Sequence, residues 1–400
     1  MGSPFGDFGE TIFEDKSVLT ENYQPEEILE REEEIEEYRY ALQDVLFGRD
    51  PDNIMLYGKA GLGKTAVTTY MMGALEEEVE HRPEADELHV HSINCNGKSL
   101  FLVVRTIVNE LLPEHASDFP KRGLGTGDAF EELYKQLNRV EGTHLLVFDE
   151  IDHLSDADTL LYELPRAKSN GHIPDAKAGV IGISNNYTFR NSLSAKVKDT
   201  LMETEISFSP YDAGELRTIL TDRAERALVD GGYDDSAIAK AGAIAAKDMG
   251  NARQAIDLLR VGAEVTERSS ADTVTDTQIT EAQRIVQRGR LRNRISDQTQ
   301  HAQYILEAMA RLAQRGELPT RSRVVQTAYE EIADSYGADP LTSLKSVQNH
   351  LSDLHMLGFL QREDQNHGEG GGRYYEYEMD LDPEVVLEAR EEIEEAERMH

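Results

Sequence analysis

The chain has 400 residues, a formal charge of −35 and 39% hydrophobic residues. That length exceeds what one hydrophobic core supports, so two or three domains are expected. The hydrophobic fraction is that of a globular protein, which excludes a disordered chain. No apolar run approaches the roughly 20 residues of a membrane helix. The first residues, MGSPFGDFGE, are unlike a signal peptide, so we expect a cytoplasmic protein with no membrane partner. The single cysteine, Cys95, excludes an internal disulfide framework and is expected on a buried strand.

The acidic composition has two interpretations. Acidic residues number 76, against 41 lysines and arginines. A surface of this kind stays hydrated in molar salt, so we interpret it as an adaptation to a halophilic cell. The alternative is an ordinary acidic protein that avoids nucleic acid. In either case a locally basic segment is more informative here than in an average chain.

The first half of the chain alternates between helices and strands. Helical spacing predicts an amphipathic helix over residues 26–47, with one apolar face made of Ile28, Ile35, Tyr38, Leu42 and Val45. Four short apolar strands follow, separated by helical segments, at residues 53–58, 88–95, 144–150 and 179–186. This alternation predicts a parallel sheet with crossover connections.

After about residue 206 the strand pattern stops. Helices are predicted at residues 212–230, 235–248 and 251–268, and a basic linker at residues 284–294. Beyond residue 300, helices precede two apolar strands joined by a glycine-rich loop. An acidic helix is predicted from about residue 383, and a solvated face is its default interpretation.

The stretch LYGKAGLGKT, residues 56–65, has the spacing of a phosphate-binding loop. Gly58, Gly61 and Gly63 let successive backbone N–H groups point at phosphate, and the dipole of the following helix adds to the attraction. Lys64 is predicted to reach the β- and γ-phosphates, and Thr65 to ligate Mg²⁺. A strand before the loop and a helix after it argue against a chance glycine-rich turn.

Acidic and polar residues end two later strands. In LLVFDEID, residues 145–152, Asp149 emerges from a buried strand to hold Mg²⁺, and Glu150 is placed to polarise an attacking water. Asp152 is either a second acidic aid or, as we prefer, a solvated surface residue. In GVIGISNN, Asn185 can orient the water or contact the γ-phosphate, and the alternative is a turn-forming Asn-Asn pair. GNAR, residues 250–253, places Arg253 at a helix start, where an ordinary surface arginine is the alternative.

These motifs, in this order, resemble the AAA+ ATPases, and more narrowly the archaeal origin-recognition and cell-division-control (Orc/Cdc-type) replication initiators of halophiles. The resemblance covers residues 10–380 and is carried by YQPEEILEREEEIEEYRYAL, LYGKAGLGKTAVT, LLVFDEIDHL, GVIGISNN, FSPYDAGELRTILTDRAERAL and GNARQAIDLLRVGAEVTE. It implies an α/β AAA+ P-loop domain with a parallel sheet, then an α-helical lid and an α+β winged-helix domain. The implied boundaries are 1–206, 207–295 and 296–383, followed by an acidic helix at 384–400.

The resemblance also implies a nucleotide site for ATP or ADP with Mg²⁺. Lys64, Asp149, Glu150, Asn185 and Arg253 are its implied catalytic residues, with Thr65 and Asp149 as metal ligands. The implied nucleotide contacts are Gly58, Lys59, Ala60, Gly61, Leu62, Gly63, Lys64, Thr65, Ala66, Tyr211, Arg223 and Arg253, with Tyr23, Pro25 and Arg31 on the adenine side.

Two departures from the family pattern matter. Lys196 stands where the family often has an arginine that acts on a neighbour's nucleotide. Lysine lacks the planar fork of arginine, so a weak, switch-like ATPase is expected. Asn251 stands where aspartate is common, and we expect little effect.

The segment TSLKSVQNHLSDLHML, residues 342–357, predicts a DNA-reading helix. Its exposed face is polar and carries one acid, Asp353; the predicted DNA contacts on it are Ser343, Lys345, Ser346, Gln348 and Asn349. The following hairpin is flanked by Arg362 and Arg373 and is either a DNA-contacting wing or merely a flexible loop. Arginines are also frequent across residues 284–323. The family further implies a DNA contact at residues 157–170, where Arg166 and Lys168 lie.

We expect a nucleoid-associated replication initiator that binds double-stranded origin DNA and recruits or loads an MCM-type replicative helicase. A second copy is an expected partner on inverted repeats. In molar salt, counterion release contributes little, so binding is expected to depend on groove fit and DNA shape. The alternatives are an ATP-switched winged-helix regulator that fires no origin and a remodelling ATPase that acts on proteins. Inverted repeats beside the gene favour the initiator.

Overall fold

The computed structural model describes residues 11–365 and 374–398. The chain divides into two compact units, Met1–Ile279 and Thr280–His400. Among the described residues, no helix is both long enough and apolar enough to cross a bilayer.

The first unit is built on a parallel sheet, as the sequence predicted. The sheet has five strands, one more than the four predicted. In chain order the strands are β1 (Ile54–Tyr57), β2 (Leu88–Asn94), β3 (Gly142–Asp149), β4 (Ala176–Ser184) and β5 (Thr204–Ser207). Their order in the sheet is β2-β3-β4-β1-β5, and every neighbouring pair is parallel. The sequence analysis missed β5, because its four residues include one buried apolar side chain, Ile206. Cys95 lies directly after β2 and is buried, and burial raises the pKa of its thiol to about 12.

Helices cover both faces of this sheet and then form a separate helical layer. The helices around the sheet are α1 (Glu32–Leu42), α2 (Lys64–Glu80), α3 (Leu100–Leu111), α4 (Thr126–Val140), α5 (Ala157–Glu163), α6 (Phe189–Ser192) and α7 (Ala195–Leu201). The lid-like helices are α8 (Ala213–Ala227), α9 (Asp235–Lys247) and α10 (Ala252–Arg268), within three residues of the predicted ends. α11 (Asp276–Ser296) follows them.

Three predicted segments were wrong. The helix predicted over 26–47 spans only Glu32–Leu42, because Glu30 has a left-handed φ of 60° and Arg31, with φ of −141° and ψ of 29°, is not helical. The helix predicted near 157–170 ends at Glu163, since Pro165 follows. The predicted linker at 284–294 is part of α11. Two buried pairs in α11, Ala282 with Val286 and Leu291 with Ile295, are each four residues apart, which was the overlooked helical signal.

The second unit is a winged-helix arrangement. Its helices are α12 (Gln300–Gln314), α13 (Ser322–Ser335), α14 (Leu344–Met356) and α15 (Pro383–Arg398). Strands β6 (Thr320–Arg321), β7 (Leu360–Gln365) and β8 (Tyr374–Met379) form an antiparallel sheet in the order β6-β8-β7. The predicted hairpin strands are confirmed. The predicted glycine-rich loop and Arg373, which was predicted to flank it, lie outside the described residues.

The C-terminal helix α15 is more than a solvated element. Val386, Ala389 and Ile393 are buried in the core of the second unit. Arg390 is also buried, and its Nε lies 3.6 Å from Oε2 of buried Glu307 on α12. The solvated interpretation therefore holds only for the outer face of this helix.

Candidate nucleotide site and nucleic-acid groove

The phosphate-binding loop connects β1 to α2 at the carboxyl edge of the sheet. Gly61 and Gly63 have φ values of 80° and 90°, which favour glycine. A Cβ on Gly58 would lie 2.9 Å from Cβ of Phe208. Lys59, Ala60, Thr65 and Ala66 are exposed on the rim, whereas Leu62 is buried beneath it. These residues form a cradle of backbone N–H groups of the kind that suits phosphate.

Lys64 is buried at the centre of this cradle. Its Nζ donates to the carbonyl oxygens of Gly58 and Lys59 at 2.7 and 2.8 Å, and to Oδ1 of Asn185 at 2.9 Å. Burial lowers the pKa of Lys64 to about 8. The P-loop lysine and the polar end of β4, predicted separately, are thus in direct contact.

Thr65 and Asp149 also meet, as a metal site requires. Oγ1 of Thr65 donates to Oδ2 of Asp149 at 2.9 Å, and burial raises the pKa of Asp149. A hydroxyl and a carboxylate are the oxygen donors that Mg²⁺ prefers. Within the described residues, no cluster of three or more His, Cys, Asp or Glu is arranged to hold a metal, so a Mg²⁺ here would also need oxygens from the nucleotide.

Glu150 is held in an unusual backbone conformation. Its φ and ψ are 54° and 41°, in the left-handed region, and its N–H donates to Oδ1 of Asp149 at 2.9 Å. Such strain in a non-glycine residue is typical of functional sites. It turns the chain away from β3 directly after Asp149.

The two asparagines after β4 have separate roles. Oδ1 of Asn186 accepts hydrogen bonds from N and Oγ1 of Thr188, both at 2.8 Å, which makes Asn186 the turn-forming residue. Asn185 instead directs its side chain at Lys64. Its N–H donates to Oδ1 of Asp152 at 3.2 Å. Asp152 is half-buried, so the solvated interpretation of this residue was wrong.

The lid-like helices contact the loop through the start of α10. N of Ala252 donates to the carbonyl oxygen of Gly61 at 3.1 Å, and Nδ2 of Asn251 donates to the carbonyl oxygen of Ala60 at 3.2 Å. An aspartate at position 251 would have no N–H for the second bond. The exposed Arg253 has its Nε 3.6 Å from Oε1 of Glu21, a partner the sequence analysis did not identify.

Two predicted adenine-side residues, Arg31 and Tyr23, each stack with another predicted nucleotide contact. The guanidinium of Arg31 lies 3.5 Å from the ring centre of Tyr211, and the guanidinium of Arg223 lies 4.3 Å from that of Tyr23. Arg31 is buried and donates through Nε to the carbonyl oxygen of Leu62 at 3.2 Å, so it supports the loop from behind. Pro25 is half-buried in the same segment as Tyr23.

Three predicted basic residues of the first unit make contacts within the chain. Nζ of Lys196 lies 3.4 Å from the ring centre of Tyr162, and the guanidinium of Arg166 lies 5.0 Å from the same ring. Lys168 forms an ion pair with Asp50. Tyr162 was not singled out in the sequence, because only the fold brings α5 and α7 together.

The second unit has an open groove of about 530 Å³ between α14, the start of α13 and the β7–β8 hairpin. It contains four basic side chains and three tyrosines, and its lining is Arg321, Ser322, Arg323, Leu344, Lys345, Gln348, Asn349, Ser352, Arg362, Tyr374, Tyr375 and Tyr377. Arg321 stacks on Tyr374 at 3.7 Å, and Arg362 stacks on Tyr375 at 4.4 Å. Stacking on a ring fixes an arginine in place while leaving its N–H groups available.

The predicted DNA contacts on α14 are not equivalent. Ser343 caps the helix by accepting from N of Ser346 at 3.0 Å, and the two hydroxyls lie 2.9 Å apart. Nε2 of Gln348 donates to Oγ of Ser322 at 3.2 Å. Lys345 and Asn349 are exposed and line the groove. These two are therefore best placed to contact a ligand.

The arginines of α11 are partly neutralised. Nη1 of Arg288 lies 3.5 Å from Oε2 of Glu388, and Arg288 and Arg292 lie 3.3 and 3.6 Å from carboxylate oxygens of Glu392. By contrast, Arg323 and Lys345 lie within ion-pairing distance of no carboxylate in the described part of the chain. The groove therefore holds basic side chains that no described carboxylate neutralises, whereas Arg288 and Arg292 of α11 are paired with glutamates.

Family models match three consecutive parts of the chain: an AAA domain at residues 49–180, a Cdc6 AAA+ ATPase-type lid domain at 217–284 and a CDC6 C-terminal winged-helix domain at 293–389. The "ORC1-type DNA replication protein 8" of Halobacterium salinarum is 50% identical, covering 97% of this chain and 98% of that protein. The "ORC1-type DNA replication protein 15" of Haloarcula marismortui is 42% identical, covering 96% and 93%.

Among solved structures, the Aeropyrum pernix ORC1 protein, determined in complex with DNA, is 29% identical, with a TM-score of 0.79 over 98% of this chain and 100% of that one. The AAA+ fold with lid and winged helix is therefore confirmed. The chain belongs to the ORC1-type DNA replication proteins, the archaeal Orc/Cdc6 family of AAA+ initiators.

Proposed function

We propose that this chain is an ATP-dependent replication initiator that binds repeats in origin DNA and recruits or loads an MCM-type helicase. The observation that carries the DNA-binding half is the groove beside α14. In a chain of formal charge −35, its Arg323 and Lys345 lie near no described carboxylate. The A. pernix relative determined with DNA supports the same assignment.

The nucleotide half rests on the contacts at the carboxyl edge of the sheet. Lys64 and the loop N–H groups bind phosphate, and Thr65 and Asp149 hold Mg²⁺, which neutralises phosphate charge when bound. Glu150 accepts a proton from the attacking water, Asn185 orients that water, and Arg253 responds to the γ-phosphate. The stacked pairs of Arg31 with Tyr211 and of Arg223 with Tyr23 border the adenine.

Hydrolysis by this chain is slow and acts as a switch. Lys196 lies against Tyr162 of its own chain, 3.4 Å from the ring centre. A lysine lacks the planar fork of an arginine that acts on a neighbour's nucleotide.

In the groove, side chains divide between positioning and base reading. Arg323, Lys345 and Arg362 contact phosphates, together with Arg373. The exposed amide of Asn349 suits the paired donor and acceptor of an adenine edge in the major groove. Arg166 and Lys168 supply a second contact on the same duplex. Two copies of the chain bind inverted repeats, which makes the protein nucleoid-associated.

Deleting the gene tests initiation against regulation. We expect marker-frequency sequencing of growing cells to lose one replication peak, and restoration by the wild-type gene but not by Lys64→Ala. An unchanged replication profile with altered transcription near the binding sites would instead support a DNA-binding regulator. Capture of the helicase by the wild-type chain tests the recruitment step.

A further inference from the structure

We propose that Asp152 is a positioning residue for ATP hydrolysis, which acts through Asn185 and touches neither the nucleotide nor the attacking water. This inference rests on the ATPase proposed above. The motif LLVFDEID left Asp152 without an assigned task, and the contacts around it supply one.

The backbone of Asn185 needs a partner outside the sheet. β3 and β4 are parallel neighbours, with Phe148 paired to Gly182, so both strands end at the same edge. The chain leaves the sheet after Ser184, and the N–H of Asn185 therefore finds no strand acceptor. Oδ1 of Asp152 accepts that N–H at 3.2 Å. Asp152 lies in the short 3-10 turn Ile151–His153, which begins directly after Glu150.

This hydrogen bond fixes one end of a continuous chain of contacts. The main chain of Asn185 is held by Asp152, and its side-chain oxygen accepts from Nζ of Lys64 at 2.9 Å. Asn186 forms the following turn, so Asn185 is not needed for it. Asp152, two positions after Glu150, thus sets the position of the Asn185 side-chain amide relative to Glu150.

The alternative is that the charge of Asp152 acts directly, as a second acid or base. The two possibilities differ in which substitution is tolerated. Asparagine keeps an Oδ1 acceptor but loses the charge, whereas alanine loses both. A positioning role therefore predicts rescue by Asp152→Asn, and a charge role predicts that asparagine fails as alanine does.

Steady-state ATP hydrolysis by the full chain separates these cases. We expect Asp152→Ala to lower kcat about tenfold and to raise KM for ATP by no more than about threefold, since small misplacements of a catalytic group are costly. Asp152→Asn should stay within about threefold of the wild type. The double variant Asp152→Ala with Asn185→Ala should be no slower than Asn185→Ala alone, because both changes remove the same interaction. Asp156→Ala is the matched control, since Asp156 is exposed and its side chain makes no capping hydrogen bond.

Three results would overturn the proposal: an asparagine variant as slow as the alanine variant, additive effects in the double variant, or an alanine variant as fast as the wild type. If the wild-type chain hydrolyses ATP no faster than Glu150→Gln, the proposed ATPase fails instead. In that case the positioning role is tested by the ratio of the affinity for ATP to the affinity for ADP. This ratio should be lower in Asp152→Ala than in the wild type, and unchanged in Asp152→Asn. Equal ratios in all three proteins would contradict it.

Discussion

The candidate nucleotide site of the first unit and the groove of the second both present positive charge, but in different surroundings. Lys64 is buried, each of its N–H groups has an acceptor, and burial lowers its pKa to about 8. Arg323 and Lys345 are exposed on an open groove. A desolvated charge is little affected by added salt, whereas exposed charges are screened. In this acidic chain the two sites should therefore respond differently to salt.

The largest expected effect is on nucleotide binding. Lys64→Ala removes the charge at the centre of the phosphate cradle and should weaken ATP affinity at least about 100-fold, a loss typical of a desolvated charge partner. The loss should be similar in about 0.5 and 2 M KCl, because a buried charge is screened little by added salt. Calorimetric titration with ATP measures it, and Lys135→Ala on the exposed face of α4 is the control. A loss that disappears in high salt would erase the contrast between the two sites.

A smaller effect is expected in the groove. Arg323→Ala combined with Lys345→Ala should weaken DNA binding about tenfold in moderate salt, equally for specific and shuffled duplexes. In about 2 M KCl the difference from the wild type should shrink. Fluorescence anisotropy measures both, with the exposed Arg315→Ala outside the groove as control. If high salt left the loss undiminished, these side chains would be acting by shape rather than by charge.

Base reading should be separable from phosphate contact within the same groove. Asn349→Ala should reduce the preference for the specific duplex by about 1–2 kcal/mol and leave binding to shuffled duplex unchanged. Competition binding determines both affinities. A uniform loss on both duplexes would place Asn349 among the phosphate contacts.

The smallest effect concerns pH and the first unit alone. His144 on β3 is buried between His89 and His91, and burial lowers its pKa to about 3. Its Nε2 faces the carbonyl oxygen of Glu141 at 2.8 Å, and Nδ1 of His91 lies 3.2 Å from Oε2 of Glu110. Below about pH 6.5, His144 is protonated in the unfolded chain but stays neutral in the folded chain. The free energy of unfolding therefore decreases as the pH falls.

This linkage should lower the free energy of unfolding by about 1 kcal/mol between pH 7 and pH 5.5. Urea denaturation monitored in the first unit measures it. The slope against pH should flatten in His144→Gln, which keeps a donor for the carbonyl of Glu141. An equal slope in the variant would assign the pH dependence to other groups.

The clustering of the candidate nucleotide-site residues was predictable because they follow the carboxyl ends of parallel strands. Thr65 and Asp149 lie 84 positions apart, yet parallel strands bring them within hydrogen-bonding distance. The task of Asp152 was missed for a complementary reason. Its contact with Asn185 depends on β3 and β4 being neighbours in the sheet, which no local pattern specifies.

The basic face of α11 shows where local composition fails. Its arginines indicated free positive charge, but Arg288 pairs with Glu388, 100 positions later. A charge is free only when the fold keeps carboxylates away, and this depends on distant elements such as α15. Lys345 and Arg323 meet that condition, and the sequence could not distinguish them from Arg288 or Arg292.

Binding of DNA in about 2 M KCl tests the central claim most directly, that a buried nucleotide site controls an exposed DNA groove. The duplex carries the inverted repeats beside the gene and competes with shuffled duplex, first with ATP and then with ADP. We predict a preference for the repeats of about 100-fold or more, and a change in that preference between the two nucleotides. Equal binding to both duplexes with either nucleotide would contradict the account.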